Sequence, residues 1–222
     1  MPLPQSLAEI LNPAYAPCPH FSGACKGLVK GWKPEQGHVP RGYFGRPERL
    51  EDVKLIIVLA EPADPWPGEN YSWITGSQDI ASAIAERISG SIFNPNSVFS
   101  RNLATVLKLC WMPLTLEEGL RHTWVTESVL CSANAPRASI AEAAERTCMS
   151  SYLVRQLQLF PTAFLLALGR KAYNRLRSSG YIRAEYAPHP SPPSGNRHSA
   201  AAEWEKVATK FRDWRNKADS LD

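Results

Sequence analysis

The chain of 222 residues has no long hydrophobic segment. Its longest apolar runs, residues 55–60 and 163–168, fall far short of the ~20 apolar residues that cross a bilayer. The N-terminal residues lack a charged region followed by an apolar core, so no secretory signal is visible. We therefore expect a cytoplasmic protein without a membrane partner.

The chain also lacks a strong excess of charge of one sign. Lys and Arg number 25 against 21 Asp and Glu, and the formal net charge of +4 does not by itself indicate a nucleic-acid partner. There is no internal repeat and no low-complexity segment. Hydrophobic residues make up 44% of the chain, which is enough for one sizeable core, so we expect a monomer with a single domain over residues 1–222.

Strand and helix patterns alternate after residue 50, whereas residues 1–50 are rich in Pro and Gly and predict an irregular N-terminal wrap with one short helix. Apolar runs predict strands at 53–60, 123–130, 163–168 and 183–187. Apolar spacing predicts helices at 79–88, 102–110, 139–160 (with Ser139 as its N-cap), 170–178 and 200–217. The pattern predicts an α/β fold, a three-layer α/β/α sandwich around a central four-stranded parallel sheet. Sites in such sheets lie at the carboxyl ends of the strands.

A rigid loop follows the last predicted strand and reads His189-Pro190-Ser191-Pro192-Pro193-Ser194. Proline fixes φ and removes a backbone N–H, so the strand cannot continue through it. The loop holds one imidazole and two hydroxyls at a sheet edge, which is typical of a functional site. An ordinary surface turn is the other interpretation, because Pro and Ser are common turn residues.

Two carboxylates, Glu61 and Asp64, follow the first predicted strand. Carboxylates at this position can stabilise a cationic transition state or orient a water molecule. The prolines around them indicate a rigid loop, which favours a site over a solvated loop with capping acids.

The cysteines fall into two pairs that are distant in sequence. Cys18 and Cys25 lie in the N-terminal wrap, with a wider spacing than the CxxC of common metal sites, while Cys131 follows a strand and Cys148 lies within a helix. Four thiolates can hold a [4Fe–4S] cluster or a zinc ion, although small buried thiols are the simpler interpretation. Cys110 lies on the apolar face of a helix and is expected in the core.

The order of these motifs resembles that of the uracil-DNA glycosylase superfamily, in particular its iron–sulfur branch, often called family 4. The resemblance runs from about Cys18 to about Lys210. Four segments carry it: Ala60-Glu61-Pro62-Ala63-Asp64 for a Gly-Glu-x-Pro-Gly motif, Thr126-Glu127-Ser128-Val129-Leu130-Cys131 for Thr-Asn-x-x-x-Cys, residues 164–176 for an ALG(R/K)xA strand and helix, and His189-Pro190-Ser191 for a His-Pro motif.

The resemblance implies a DNA glycosylase that hydrolyses the N-glycosidic bond of a flipped-out uracil-like or modified pyrimidine base in DNA and leaves an abasic site. It implies that Glu61 and Asp64 face the sugar and that His189 donates a hydrogen bond to O2 of the departing base. The implied base-binding residues are Ala60, Pro62, Glu127 and a stacking aromatic, Phe99, with Phe93 and Trp73 as the other candidates for that ring. The implied DNA contacts are Ser191, Ser194, Arg197 and Arg101. The implied ligands of a structural [4Fe–4S] cluster are Cys18, Cys25, Cys131 and Cys148, with zinc as the second choice and His20 as a possible substitute for one cysteine of the first pair.

Glu127 departs from the family, which has an Asn that reads uracil at this place. An ionised carboxylate has only acceptors and would repel O4 of uracil, but it would accept a hydrogen bond from N4 of a cytosine-type base. A protonated Glu127 in a dry pocket would restore binding of uracil, since burial raises a carboxyl pKa. A side chain that points away would read nothing.

Three alternatives stay open. The first is a glycosylase for a modified cytosine, for example in foreign or phage DNA. The second is a DNA-binding member with little catalysis, because Ala60 replaces the Gly of the first motif. The third is an α/β metal-binding protein with no nucleic-acid role.

Overall fold

The computed structural model describes residues 2–74, 79–135 and 138–219. Within these ranges the chain forms a five-stranded, mostly parallel sheet flanked by helices, so the α/β class is confirmed. The spatial order of the strands is β1-β3-β2-β4-β5. Their bounds are β1 Phe44–Gly45, β2 Leu55–Leu59, β3 Thr123–Glu127, β4 Phe164–Leu168 and β5 Glu185–Ala187.

The prediction of four strands is wrong, because β1 adds a fifth and pairs antiparallel with β3. Phe44 lies opposite Val125, and Gly45 lies opposite Trp124. A strand of two residues shows no alternation of apolar side chains, so the sequence of the N-terminal wrap carries no signal for it. Only glycine fits at position 45, since a Cβ there would lie 2.4 Å from the carbonyl oxygen of Thr123.

The four parallel strands end at the same edge of the sheet, at Leu59, Glu127, Leu168 and Ala187. β2 lies between β3 and β4, so the chain leaves β2 toward one side and crosses back to the other side after β3. Ligands of open α/β sheets bind where strand order reverses in this way, outside the carboxyl ends.

The helices fall close to their predicted positions, with one addition before β3. Their bounds are α1 Gln5–Leu11, α2 Ile80–Ser91, α3 Val98–Trp111, α4 Leu116–Arg121, α5 Glu142–Cys148, α6 Val154–Gln158, α7 Arg170–Ser178 and α8 Ala200–Asp219. Short 3-10 turns lie at Asn12–Tyr15, Pro19–Ser22, Pro34–Gln36, Leu50–Asp52, Ser72–Ile74 and Ser194–Asn196.

The helix predicted over residues 139–160 is interrupted. It begins at Glu142 with Ala141 as N-cap and no capping side chain, so the prediction of Ser139 as N-cap is wrong. A π-helical turn at Met149–Leu153 separates α5 from α6. Such turns are often found at functional sites, and this one follows Cys148 directly.

Aromatic side chains from α3 and α8 pack beside the sheet. The ring of Phe211 lies 5.0 Å from that of Trp111 and 5.5 Å from that of Phe164 on β4, measured between centroids. No helix in the described ranges is both long and apolar enough to cross a membrane.

Candidate functional site

A cavity of ≈ 430 Å³ opens at the carboxyl edge of the parallel strands. It brings together predicted residues from the loop after β2, the start of α3, the end of β3 and the loop after β5. The predicted site residues that line it are Glu61, Pro62, Asp64, Phe99, Glu127, His189 and Ser191.

His189 presents a neutral imidazole to this cavity. The backbone N–H of Ser191 donates to His189 Nδ1 at 3.0 Å, so Nδ1 is the acceptor and the ring proton is on Nε2. Burial lowers the pKa of His189 to about 4, and the nearby Glu61 opposes that shift without reversing it. At neutral pH the ring therefore offers one N–H donor without a positive charge.

The position of this ring is fixed from several sides. Phe99 on α3 stacks on it with centroids 5.8 Å apart. Gly169 adopts φ +103°, and a Cβ there would lie 3.1 Å from His189 Cβ. Asn102 Nδ2 donates to the carbonyl oxygen of Pro190 at 2.8 Å, which ties the loop to α3. The ring is held in one orientation before any ligand binds.

Glu61 is held by two cations from α7. Lys171 Nζ donates to Glu61 Oε1, and Arg175 Nη1 donates to Glu61 Oε2 at 2.6 Å. The Arg175 side chain is 5% exposed and also bonds the Glu145 carboxylate and the Ala60 carbonyl oxygen. Each oxygen of an ionised carboxylate has two acceptor positions, so Glu61 keeps the capacity to accept from a ligand or a water. These ion pairs join the loop after β2 to the helix after β4, at the point where strand order reverses.

Glu127 is a buried carboxyl group in the wall of the cavity. Burial raises its pKa well above the ordinary range, Glu61 raises it further, and Arg41 and Arg175 oppose the shift. Its Oε2 has no hydrogen-bond partner among the described residues. Its side chain crosses so close to Gly42 that a Cβ there would lie 2.3 Å from Glu127 Cγ. Burial therefore favours the neutral form of this carboxyl group, which would carry one donor and one acceptor.

A buried ion pair in the same wall was not predicted. Arg41 Nε lies 3.4 Å from Glu69 Oε1, and both side chains are 5% exposed. Arg41 also donates to the Ala63 carbonyl oxygen, while its Nη1 is buried without a partner in the described part of the chain. Arg41 follows no periodic pattern in the N-terminal wrap, so the sequence carries no signal for it.

The remaining predicted residues lie around the cavity or away from it. Asp64 is 48% exposed, with Lys30 Nζ at 3.9 Å. The carbonyl oxygen of Ala60 accepts from Ser128 Oγ at 2.7 Å, and the residue is not part of the cavity wall. Phe93 packs edge-on against Phe44, so among the three candidate aromatics Phe99 is the one in the wall.

The predicted DNA contacts separate into two groups. Ser191 lies in the cavity wall, whereas Ser194, Arg197 and Arg101 lie outside it. Arg197 Nη2 lies 3.7 Å from Glu203 Oε1, and Arg101 Nη1 donates to the Pro95 carbonyl oxygen at 2.8 Å.

The four predicted metal ligands line one small cavity. Cys18, Cys25, Cys131 and Cys148 are buried free thiols that line a common cavity of ≈ 10 Å³. Burial is the largest cause that raises the pKa of the Cys131 thiol, and the other three cysteines of the cavity raise it further. Cys110 is also buried but lies on α3, outside this group.

The chemistry of this four-thiol set fits zinc or an iron–sulfur cluster. No group of three or more His, Cys, Asp or Glu side chains within the described ranges is already arranged around a metal position. His20, the possible substitute, lines the same cavity, with Nε2 3.0 Å from Ser151 Oγ.

Comparison with models of known protein families gave no match, and comparison with curated proteins gave none.

Proposed function

We propose that this protein is a DNA glycosylase that hydrolyses the N-glycosidic bond of a flipped-out pyrimidine. The observation that carries the proposal is the neutral His189, whose Nε2–H is free to donate into a cavity that also holds Glu61 and Glu127. The resemblance of the motifs to uracil-DNA glycosylases supports the same assignment.

Cleavage of the glycosidic bond leaves negative charge on the base and positive charge on the sugar. A fixed N–H that meets the forming oxyanion stabilises it without reorganising solvent. His189 Nε2 supplies that donor to O2 of the base. Its low pKa keeps the ring neutral, so it binds the anion as a hydrogen-bond donor and does not protonate it first.

Glu61 stabilises the sugar side of the same reaction. Lys171 and Arg175 hold its carboxylate in one position, and the remaining acceptor positions face the developing oxocarbenium ion or the attacking water. Asp64 lies on the exposed side of the same loop, where it orients water.

Glu127 reads the N3–C4 edge of the base. As a neutral acid it donates to O4 and accepts from N3–H of uracil, and with the proton on its other oxygen it accepts from N4 and donates to N3 of cytosine. A site of this kind admits both uracil and cytosine-derived bases. That breadth suits removal of a modified cytosine, for example from foreign DNA, as well as uracil repair.

The four cysteines hold a structural metal group, a [4Fe–4S] cluster or a zinc ion. When bound, it supplies a cross-link and no chemistry to the reaction. Cys18 and Cys25 attach the N-terminal wrap to Cys131 after β3 and Cys148 at the end of α5.

A base-release screen tests the function. Single-stranded and duplex oligonucleotides carrying uracil, cytosine or C5-substituted cytosine are incubated with the protein, and abasic sites are revealed by alkaline cleavage. Cleavage of at least one substrate at the position of the modified base supports the proposal. Binding without cleavage of any substrate refutes it.

The ion pairs of Glu61 favour a second candidate, a DNA-binding protein with little catalysis. Two cations reduce the negative charge that Glu61 can direct at the sugar. A tight complex with DNA and no release of base in the same screen would support this candidate.

A further inference from the structure

A tryptophan that the sequence did not single out stands at the mouth of the cavity. Trp66 lines the cavity wall, yet its side chain is 44% exposed. It lies in the loop after β2, between Pro65 and Pro67. An exposed indole in the wall of a cavity differs from an isolated surface aromatic, because it is within reach of a ligand in that cavity.

The backbone of Trp66 is held by a turn that is anchored on the buried side chain of Glu69. Its N–H donates to Glu69 Oε2 at 2.8 Å, and the N–H of Glu69 donates back to the Trp66 carbonyl oxygen at 2.9 Å. Glu69 in turn accepts from the Tyr71 hydroxyl at 2.5 Å and pairs with Arg41. A buried ion pair contributes little net stability but fixes geometry, and here it fixes a turn that presents an indole.

The side chain of Trp66 borders three depressions of the protein surface. Besides the main cavity, Trp66 lines depressions of ≈ 390 Å³ and ≈ 380 Å³. Lys30 and His38 line the first depression together with Glu35, Asp64 and Glu69, and Lys30 Nζ lies 3.9 Å from Asp64 Oδ1. The ring of Trp66, and not an excess of positive charge, is therefore the feature of this rim that suits a nucleic acid. The loop after β5, which lines the cavity through His189 and Ser191, exposes Pro192 and Pro193 and has no large aromatic.

We propose that Trp66 stacks on the nucleobase next to the flipped nucleotide. The ligand is thus a single strand of DNA, whose target base enters the cavity while its neighbour rests on the indole. This rests on the proposed function, since it takes the same strand as the ligand of the cavity. Stacking of a base on an aromatic side chain does not depend on sequence, because every base has a π face.

The test compares Trp66→Ala with Trp73→Ala. Trp73 is 41% exposed and lies outside the cavity wall, with its indole N–H donating to the Asn70 carbonyl oxygen at 3.2 Å. Fluorescence anisotropy with a labelled single-stranded oligonucleotide gives the dissociation constant of each variant. Trp66→Ala should weaken binding about 5- to 150-fold, Trp66→Phe should restore much of it, and Trp73→Ala should leave it within about twofold.

The outcomes separate this inference from the proposed function. Equal binding by wild type and Trp66→Ala overturns the stacking role, even if the wild type releases base. Weakened binding by Trp66→Ala, with no release of base by the wild type, supports the stacking role and refutes catalysis. Thermal unfolding of each variant checks that the fold is kept, and restoration by Trp66→Phe distinguishes lost stacking from a disturbed turn.

Discussion

The backbone N–H of Ser191 donates to His189 Nδ1 at 3.0 Å, which places the single ring proton on Nε2. Pro190 lies between the donor and the acceptor, and its ring restricts the backbone of the loop that carries this bond. A hydrogen bond of this kind fixes both the tautomer and the orientation of the ring. The interpretation of the cavity as a glycosylase site depends on it.

Removal of the imidazole tests its role in charge stabilisation. His189→Ala should slow release of base by about 10²–10³-fold, the range for loss of one oxyanion donor. Because the proposed contact of the ring is with the base and not with the backbone of DNA, affinity for DNA should change little. Single-turnover rates and anisotropy on the same oligonucleotide measure the two effects.

The low pKa of His189 makes a specific prediction for pH. Folding lowers the pKa from 6.5 to about 4, so the neutral ring persists through the neutral and mildly acidic range. The rate that depends on His189 should stay level as pH falls through 6.5 and should decline only near pH 4. A rate that halves near pH 6.5 would show that the ring titrates as it does in water.

Folding stability should change over the same window. The unfolded chain takes up the proton of His189 first, so this residue stabilises the fold above about pH 6.5 and the contribution is lost as pH falls toward about 4. The slope should be absent in His189→Ala, and chemical denaturation at several pH values measures it.

Glu127→Gln tests the neutral carboxyl. The amide of Gln keeps a donor group and an acceptor but cannot ionise, so the variant should still release uracil. Any fall in the rate at high pH that comes from ionisation of Glu127 should be absent from the variant. Burial raises the pKa of Glu127, so ionisation destabilises the wild-type fold as pH rises above the ordinary value of about 4.5. Glu127→Gln should therefore be more stable than the wild type at pH 8, by thermal unfolding. Equal stability at every pH would contradict a buried, neutral Glu127.

Substitution of Gly169 tests whether this residue positions His189, and substitution of Gly180 is the control. Both have positive φ, +103° and +89°, but a Cβ at Gly169 would press on the His189 ring, while one at Gly180 meets nothing within 4 Å. Alanine at either position should cost about 1–3 kcal/mol of stability through backbone strain. Gly169→Ala alone should also slow release of base; an equal loss of rate in Gly180→Ala would refute the contact.

Cys131→Ser tests whether the four cysteines bind a metal group, and Cys110→Ser is the control. Both thiols are buried, but Cys131 shares a cavity with three other cysteines and Cys110 does not. Metal analysis of purified protein should find iron or zinc in the wild type and in Cys110→Ser, and about none in Cys131→Ser. A broad visible absorption band identifies iron–sulfur, and a colourless protein with zinc identifies the alternative. A wild type free of both metals would show that the thiols are packing residues.

Much of the sheet follows from simple patterns. β2 and β4 are continuous apolar runs, and the structure places both in the middle of the sheet. α7 has the predicted bounds, Arg170–Ser178, because Gly169 precedes it and helical spacing covers its whole length. α4 was missed although Thr115 and Glu118 form a capping box, a signal visible in the sequence.

The cavity wall is less accessible to sequence reasoning. Glu61 and His189 were singled out because they follow predicted strands whose carboxyl ends must meet at one edge, and Glu127 because the resemblance places it where the family has Asn. Arg41, Lys171 and Arg175 depend on how the N-terminal wrap and α7 fold against that edge, which no local pattern records. Their charges decide whether Glu61 is paired and how far the pKa of Glu127 rises, so the electrostatics of the site required the tertiary structure.

The most direct test of the central claim is release of free base under single-turnover conditions, followed by chromatography of the product. The wild type and His189→Ala are compared on oligonucleotides that carry uracil, cytosine or a C5-substituted cytosine. The account predicts that the wild type releases a pyrimidine from at least one of them and that His189→Ala does so about 10²–10³-fold more slowly. Release at equal rates by the two proteins, or no release by the wild type from any substrate, would contradict it.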